Sequence, residues 1–192
     1  MGSYYYLGAQ LPYLIYGQNP PMSSQDFLAL ARDQMSSADA ALLDYCTLDP
    51  SPYREGDTGP SYTEQERSTH STLLNRWKEW ERALRLNLAS NRALKLKREG
   101  VTQADAPVIP ADAANVAKNA MAIESPLEAE IFLDNARWNA IESFQDLSVF
   151  SESSIYAYLL KLLLMERRAA FKTEDGFDEY KGLYAAILGE AK

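Results

Sequence analysis

From Tyr62 to Glu99 no proline or glycine interrupts the chain. Within that stretch Leu73, Trp77, Trp80, Leu84, Leu88 and Leu94 recur at steps close to the helical period. The spacing predicts one helix over about 62–99, roughly 55 Å long. An apolar stripe of that length must be covered along most of its run, so the remaining elements are expected to pack around it. Gly100 ends the pattern, and Pro107 and Pro110 mark a connection rather than a continuation.

Other helices announce themselves by their starts. Ser23 with Asp26, Ser36 with Asp39, Thr63 with Glu66 and Ser125 with Glu128 each set a capping side chain three positions before a carboxylate. The cap satisfies an orphan amide, and the negative charge complements the positive end of the helix dipole. Pro126 occupies the first helical position after Ser125, where its missing N–H costs nothing. With the connection at Pro107 and Pro110 and the apolar spacing of Ile155, Tyr158, Leu159, Leu162 and Ala169, these signals predict helices over about 24–34, 37–45, 112–122, 126–145 and 152–172. A last helix is expected over 177–188, after the turn at Asp175 and Gly176. Tyr4 to Leu7 are β-formers, but a short helix cut off before Pro12 is the expectation there. The stretch 47–61 collects Pro50, Pro52, Gly56, Gly59 and Pro60 and reads as a loop. No strand pattern competes. The fold class is therefore all-α, an elongated helical bundle with one long central helix. A single domain over 1–192 is expected, with short helices in 1–46, the loop 47–61 and the long-helix bundle 62–192.

A chain of 192 residues is long enough to bury a core without disulfide, metal or cofactor. Its single cysteine, Cys46, and single histidine, His70, leave too few soft ligands for a usual zinc site, and neither a metal nor a cofactor is expected. Met1 to Leu7 lacks the basic and apolar regions of a secretory signal, and the apolar runs 155–160 and 162–165 are broken by Lys161. A reducing cytoplasm is the expected home, with no membrane insertion. The net charge of −8 argues against nucleic acid as a partner, because phosphate neutralisation needs a concentrated positive surface.

Helical projection brings four polar residues onto apolar stripes. Asn87 and Asn91 fall there on the long helix, Asp134 falls between Ile131 and Trp138, and Glu166 falls between Leu162 and Ala169. Buried groups of this kind need partners, so these four are candidates for an interhelical network that fixes register, with Arg92 or Arg137 as counter-charge. The alternative is a small-ligand or enzymatic bundle using Asp134 and Glu166 as a carboxylate pair. Diiron bundles, however, place a histidine three residues after a glutamate, and no such motif occurs here. No residue is assigned a catalytic role.

Charge is also segregated. From Arg76 to Glu99 eight Lys or Arg face three Glu in an otherwise acidic chain, and Lys78, Arg82, Arg85 and Arg92 share one flank. That flank is the candidate docking surface for an acidic partner, or else a solvated helix face with ordinary pairing to nearby acids. The tyrosines Tyr4, Tyr5, Tyr6, Tyr13 and Tyr16 are a second candidate interface, or else they close off the core.

Several stretches carry a resemblance that covers nearly the whole chain: Tyr4-Tyr5-Tyr6-Leu7 through Leu11-Pro12, Pro21-Met22-Ser23-Ser24 into Phe27-Leu28, and Asn87-Leu88-Ala89 to Leu96. Leu127 to Glu130 leading to Arg137-Trp138, and Tyr158 to Leu162 leading to Glu166-Arg167, continue it. Together they resemble an uncharacterised bacterial domain-of-unknown-function family encoded among genes for V-type ATP synthases. The helical pattern is similar to part of the V-type ATPase C (d-type) subunit, the all-helical cap joining the rotating stalk to the membrane ring. The resemblance implies a non-enzymatic accessory or central-stalk subunit. Its implied partners are stalk or ring subunits, and its place is the cytoplasmic side, peripheral to the inner membrane through those partners.

Overall fold

The computed structural model describes residues 4–48, 69–96, 111–146 and 148–171. Among them the fold is all-α: α1 Tyr5–Gln10, α2 Ser24–Gln34, α3 Ser37–Ala41 running into a 3-10 turn Leu42–Tyr45, α4 Thr72–Lys95, α5 Ala111–Ala122, α6 Pro126–Phe144 and α7 Glu152–Ala169. The expected start at Thr63, most of the loop 47–61, Gly100 and the helix over 177–188 lie outside the described residues.

Caps set the element boundaries. Ser23, Ser36 and Ser125 accept hydrogen bonds from the amides of Asp26, Asp39 and Glu128, as their sequence pattern predicts. Ser71 and Ser151 do the same for Leu74 and Ser154 without a carboxylate in third place.

Ser71 also corrects the long helix. Residues 69–71 are not helical, and α4 begins at Thr72 instead of running in from 62. The Asn75 side chain holds the break. Its Oδ1 accepts from the Thr69 amide at 2.8 Å and its Nδ2 donates to the Thr69 carbonyl at 2.7 Å. A stretch free of proline and glycine can still end a helix when an Asn or Ser side chain offers its backbone groups other partners. At the other end α4 stops at Lys95, leaving 24 residues in place of the span 62–99.

One apolar cluster gathers residues from α1, α2, α4, α5, α6 and α7. Ala113, Ala117 and Ala120 present a small-residue stripe on α5, which lets α5 lie close along α4. Half of α7 is buried against a third of α4. Ile155, Tyr156, Ala157, Leu159, Leu160, Leu162 and Leu164 lie on several sides of α7, and that helix packs on α2, α4 and α6. A helix apolar on most of its circumference belongs inside.

Hydroxyls and indoles buried along this core find carbonyls and carboxylates. Trp77 Nε1 donates to the Thr47 carbonyl at 2.9 Å and Trp80 Nε1 to Asp112 at 3.0 Å. Tyr16, Tyr156 and Tyr158 donate to the carbonyls of Ile131, Asp39 and Pro12, each at 3.0 Å. Burial pushes the Tyr158 phenol up to about 12 and raises Tyr156 as well.

Candidate functional site

The most concentrated chemistry in the described residues is a run of alternating charges through α4, α6 and α7. It centres on Arg137, whose side chain is 5% exposed. Its guanidinium grips Glu81 of α4 in bidentate fashion, Nε to Oε2 and Nη2 to Oε1, both at 3.0 Å. Nη1 donates to Asp134 Oδ1, one turn back on α6, also at 3.0 Å. The run extends at both ends toward solvent. Arg85 Nε meets Glu81 Oε1 at 2.9 Å, while Arg167 of α7 lies 3.5 Å from Asp134 and 2.7 Å from Glu130. Cations and anions alternate as Arg85, Glu81, Arg137, Asp134, Arg167 and Glu130, so the set is neutral as a whole.

Neutrality matters because the middle of the run is dry. Glu81 is fully buried and Asp134 is 1% exposed. A lone charge there would cost several kcal/mol, of order the effective desolvation penalty per ion. Burial works against the charge on Arg137, but the carboxylates of Glu81 and Asp134 outweigh it and raise its pKa. Burial likewise pushes the Asp134 carboxyl up, opposed by Arg167 and Arg137, and its Oδ2 has no hydrogen-bond partner. Arginine suits this position because its planar fork serves two carboxylates at once and stays protonated.

Of the four polar residues expected to form a network, Asp134 lies in this run and the other three lie elsewhere. Asn87 is half-buried and donates to the Ala83 carbonyl of its own helix at 2.8 Å. Asn91 is half-buried near the end of α4. Glu166 accepts from the Ser24 amide at 2.6 Å, so a carboxylate from α7 caps the start of α2. Arg92, one of the two expected counter-charges, is exposed, and Arg137 fills that role.

The residue that projection overlooked is Glu81. It lies four residues after Trp77 and three before Leu84, inside the same stripe as Asn87 and Asn91, and the helical period alone was enough to find it.

The basic flank of α4 divides. Lys78 Nζ sits 4.3 Å from the centre of the Tyr45 ring, where burial lowers its pKa, and Arg85 is drawn to Glu81 and to the Leu48 carbonyl at 2.8 Å. Arg82 is half-buried and Arg92 points outward.

A hollow of about 350 Å³ opens where Trp80, Val116, Phe132 and Asn139 meet, with Asp112 and Asn135 among its other walls. Neither Asp134 nor Glu166 lines it. Among the described residues no three His, Cys, Asp or Glu are placed to hold a metal ion, and no helix is long and apolar enough to cross a membrane. Cys46 is buried with its thiol toward the Leu42 carbonyl, and burial pushes its pKa up. His70 lies 3.5 Å from Asp39. No family model matches the chain, and no curated protein or solved structure matches it.

Proposed function

We propose that this chain is a non-enzymatic docking protein, an accessory or central-stalk subunit of a bacterial V-type ATP synthase, similar in role to part of the C (d-type) subunit. The observation that carries the reading is the closed pairing of Glu81, Arg137 and Asp134 across α4 and α6. Carboxylates engaged in this way hold helices in register, and the basic flank of α4 is the surface that would face an acidic partner. Resemblance to the family encoded with V-type ATP synthase genes supplies the partner: stalk or ring subunits on the cytoplasmic side of the inner membrane. Catalysis belongs to those partners, and the chain itself carries no cofactor.

The reading built on Asp134 and Glu166 as a reactive pair has less support, because one carboxylate faces arginines and the other faces the Ser24 amide.

Purification of the ATPase from native cells, with intact-complex mass spectrometry, tests the proposal. The chain is expected as a stoichiometric member, and Arg82→Glu with Arg92→Glu is expected to release it. Arg85 is left unchanged in that variant, since a carboxylate there would face buried Glu81. Recovery of the wild-type chain only as a free protein, at native abundance, overturns the assignment.

A further inference from the structure

Helices α5 and α6 do not close on each other along their whole length. Phe132, Ala136, Asn139 and Ser143 form one row on α6, and Asp112 and Val116, one turn apart, form another on α5. These rows border the hollow of about 350 Å³ whose inner wall is the buried Trp80 of α4. The gap is a product of side-chain size. Ala136 and Ala140 offer only a methyl group each where larger residues would have filled the space. The volume lies within the range of small-molecule sites, about 300–1,000 Å³.

Its polar groups are few and only partly engaged. Asp112 Oδ2 accepts from Trp80 Nε1 at 3.0 Å, and Asn139 Nδ2 donates to Asn135 Oδ1 at 2.8 Å. Among the described residues this leaves Asp112 Oδ1, Asn139 Oδ1 and Asn135 Nδ2 without a hydrogen-bond partner. All three residues are exposed, so these atoms stand at the mouth, above apolar walls of Trp80, Val116 and Phe132. Asp112 is the one charge among the described lining residues, and no Lys or Arg joins it there. A carboxylate in the first turn of α5 also complements the helix dipole. That role alone calls for neither a hollow nor unengaged amides beside it.

We propose that this hollow binds a small organic amine, a compact apolar body carrying one ammonium group. The body lies against Trp80, Val116 and Phe132, and the ammonium group donates to Asp112, with Asn139 Oδ1 a further acceptor at the mouth. Apolar walls with a few placed polar groups are the usual composition of such a site. A carboxylate or phosphate ligand would instead meet the Asp112 charge, in a chain whose net charge is −8. The site shares no residue with the Glu81, Arg137 and Asp134 run or with the basic flank of α4, so it is independent of the docking role.

Heteronuclear NMR titration of the full chain with three probes of one shape tests the proposal. Phenethylamine is expected to saturate with a Kd below about 1 mM, shifting the Trp80 indole N–H and the amides around Asp112, Ala136 and Asn139. Phenethyl alcohol, its uncharged analogue, is expected to bind about tenfold more weakly, and phenylpropionate not at all. Asp112→Asn keeps an oxygen for Trp80 Nε1 but removes the charge, so the amine is expected to fall to the level of the alcohol while the alcohol is unchanged. Ala136→Leu fills the hollow and is expected to abolish binding of both, with circular dichroism as in the wild type. The ranking of the three probes is read on the wild-type chain and so does not depend on how either variant folds. No saturable shift with the amine, binding of the carboxylate as tight as that of the amine, shifts centred away from the hollow, or amine binding that survives Asp112→Asn undiminished would each overturn the assignment.

Discussion

Two polar clusters tie distant parts of this chain together, and they use different chemistry to do so. Around Arg137 the groups are ions, held where solvent does not reach: side chains 5%, 1% and 0% exposed for Arg137, Asp134 and Glu81. Around Asp39 a single carboxylate, 16% exposed, is gathered by neutral hydroxyls. Tyr4 Oη and Ser36 Oγ donate to Oδ2, and His70, 58% exposed, lies 3.5 Å from Oδ1. The inner cluster joins α4 to α6, and the outer one joins the segment before α1, the start of α3 and the residues before α4. Depth decides the chemistry. A carboxylate near the surface keeps its charge with a few dipoles and nearby water, whereas a fully buried one needs a counter-ion with matched geometry.

The contrast is tested most strongly at Arg137. Arg137→Ala leaves buried Glu81 with only the partly exposed Arg85 and buried Asp134 with only Arg167 at 3.5 Å, and a loss of roughly 3–5 kcal/mol is expected in urea or guanidinium unfolding. The sharper form replaces the whole buried set at once, with Glu81→Leu, Asp134→Leu and Arg137→Met. Arg85 and Arg167 are 45% and 31% exposed and can turn to water. The triple variant should therefore recover most of the loss or exceed wild-type stability. If it is as unstable as Arg137→Ala alone, packing rather than charge pairing holds α4 against α6.

Much of the architecture was legible because helices advertise themselves twice, by apolar spacing and by caps. Ser23, Ser36 and Ser125 are caps in both sequence and structure, and α2, α5, α6 and α7 lie within a few residues of their expected bounds. The start of α4 was misread because Asn75 and Ser71 act through side-chain geometry, and no proline or glycine marks the place. Asp134 was found by projection, and Arg137 was named as a counter-charge. Glu81 stands between Trp77 and Leu84 at the edge of the apolar stripe, beside the basic residues of the same helix, so its charge alone does not tell a buried carboxylate from a surface one. Glu166 could not have been assigned from spacing, since its partner is a backbone amide 142 residues away in sequence. Nothing in local pattern encodes that meeting.

A smaller effect is expected at Asp134. With Asp134→Ala, Arg137 keeps both bonds to Glu81 and Arg167 keeps Glu130, so no buried ion is left wholly unpaired. The expected cost is about 1–3 kcal/mol, in the range for a hydrogen bond to a charged group. The measurement is the same unfolding experiment, and the ranking is the point. A loss equal to that of Arg137→Ala would mean that the run behaves as one indivisible unit, with no gradation from its centre outward.

The smallest effect, and the one that pH reads out, lies at Tyr4. Burial alone would raise the Asp39 pKa, but the hydroxyls of Tyr4 and Ser36, with His70, outweigh it and hold the carboxyl below its ordinary 3.8. A carboxyl whose pKa is lower in the folded state contributes stability that is present above the unfolded value and lost as pH falls through the folded one. Tyr4→Phe removes the donor while keeping the ring, at a cost of about 1 kcal/mol near neutral pH. As acid protonates Asp39 in both proteins, the gap between them should close below the ordinary carboxyl value. Unfolding curves of the two at matched pH measure that gap directly. A gap that persists unchanged into acid would mean that Tyr4 stabilises the fold through something other than the charge on Asp39.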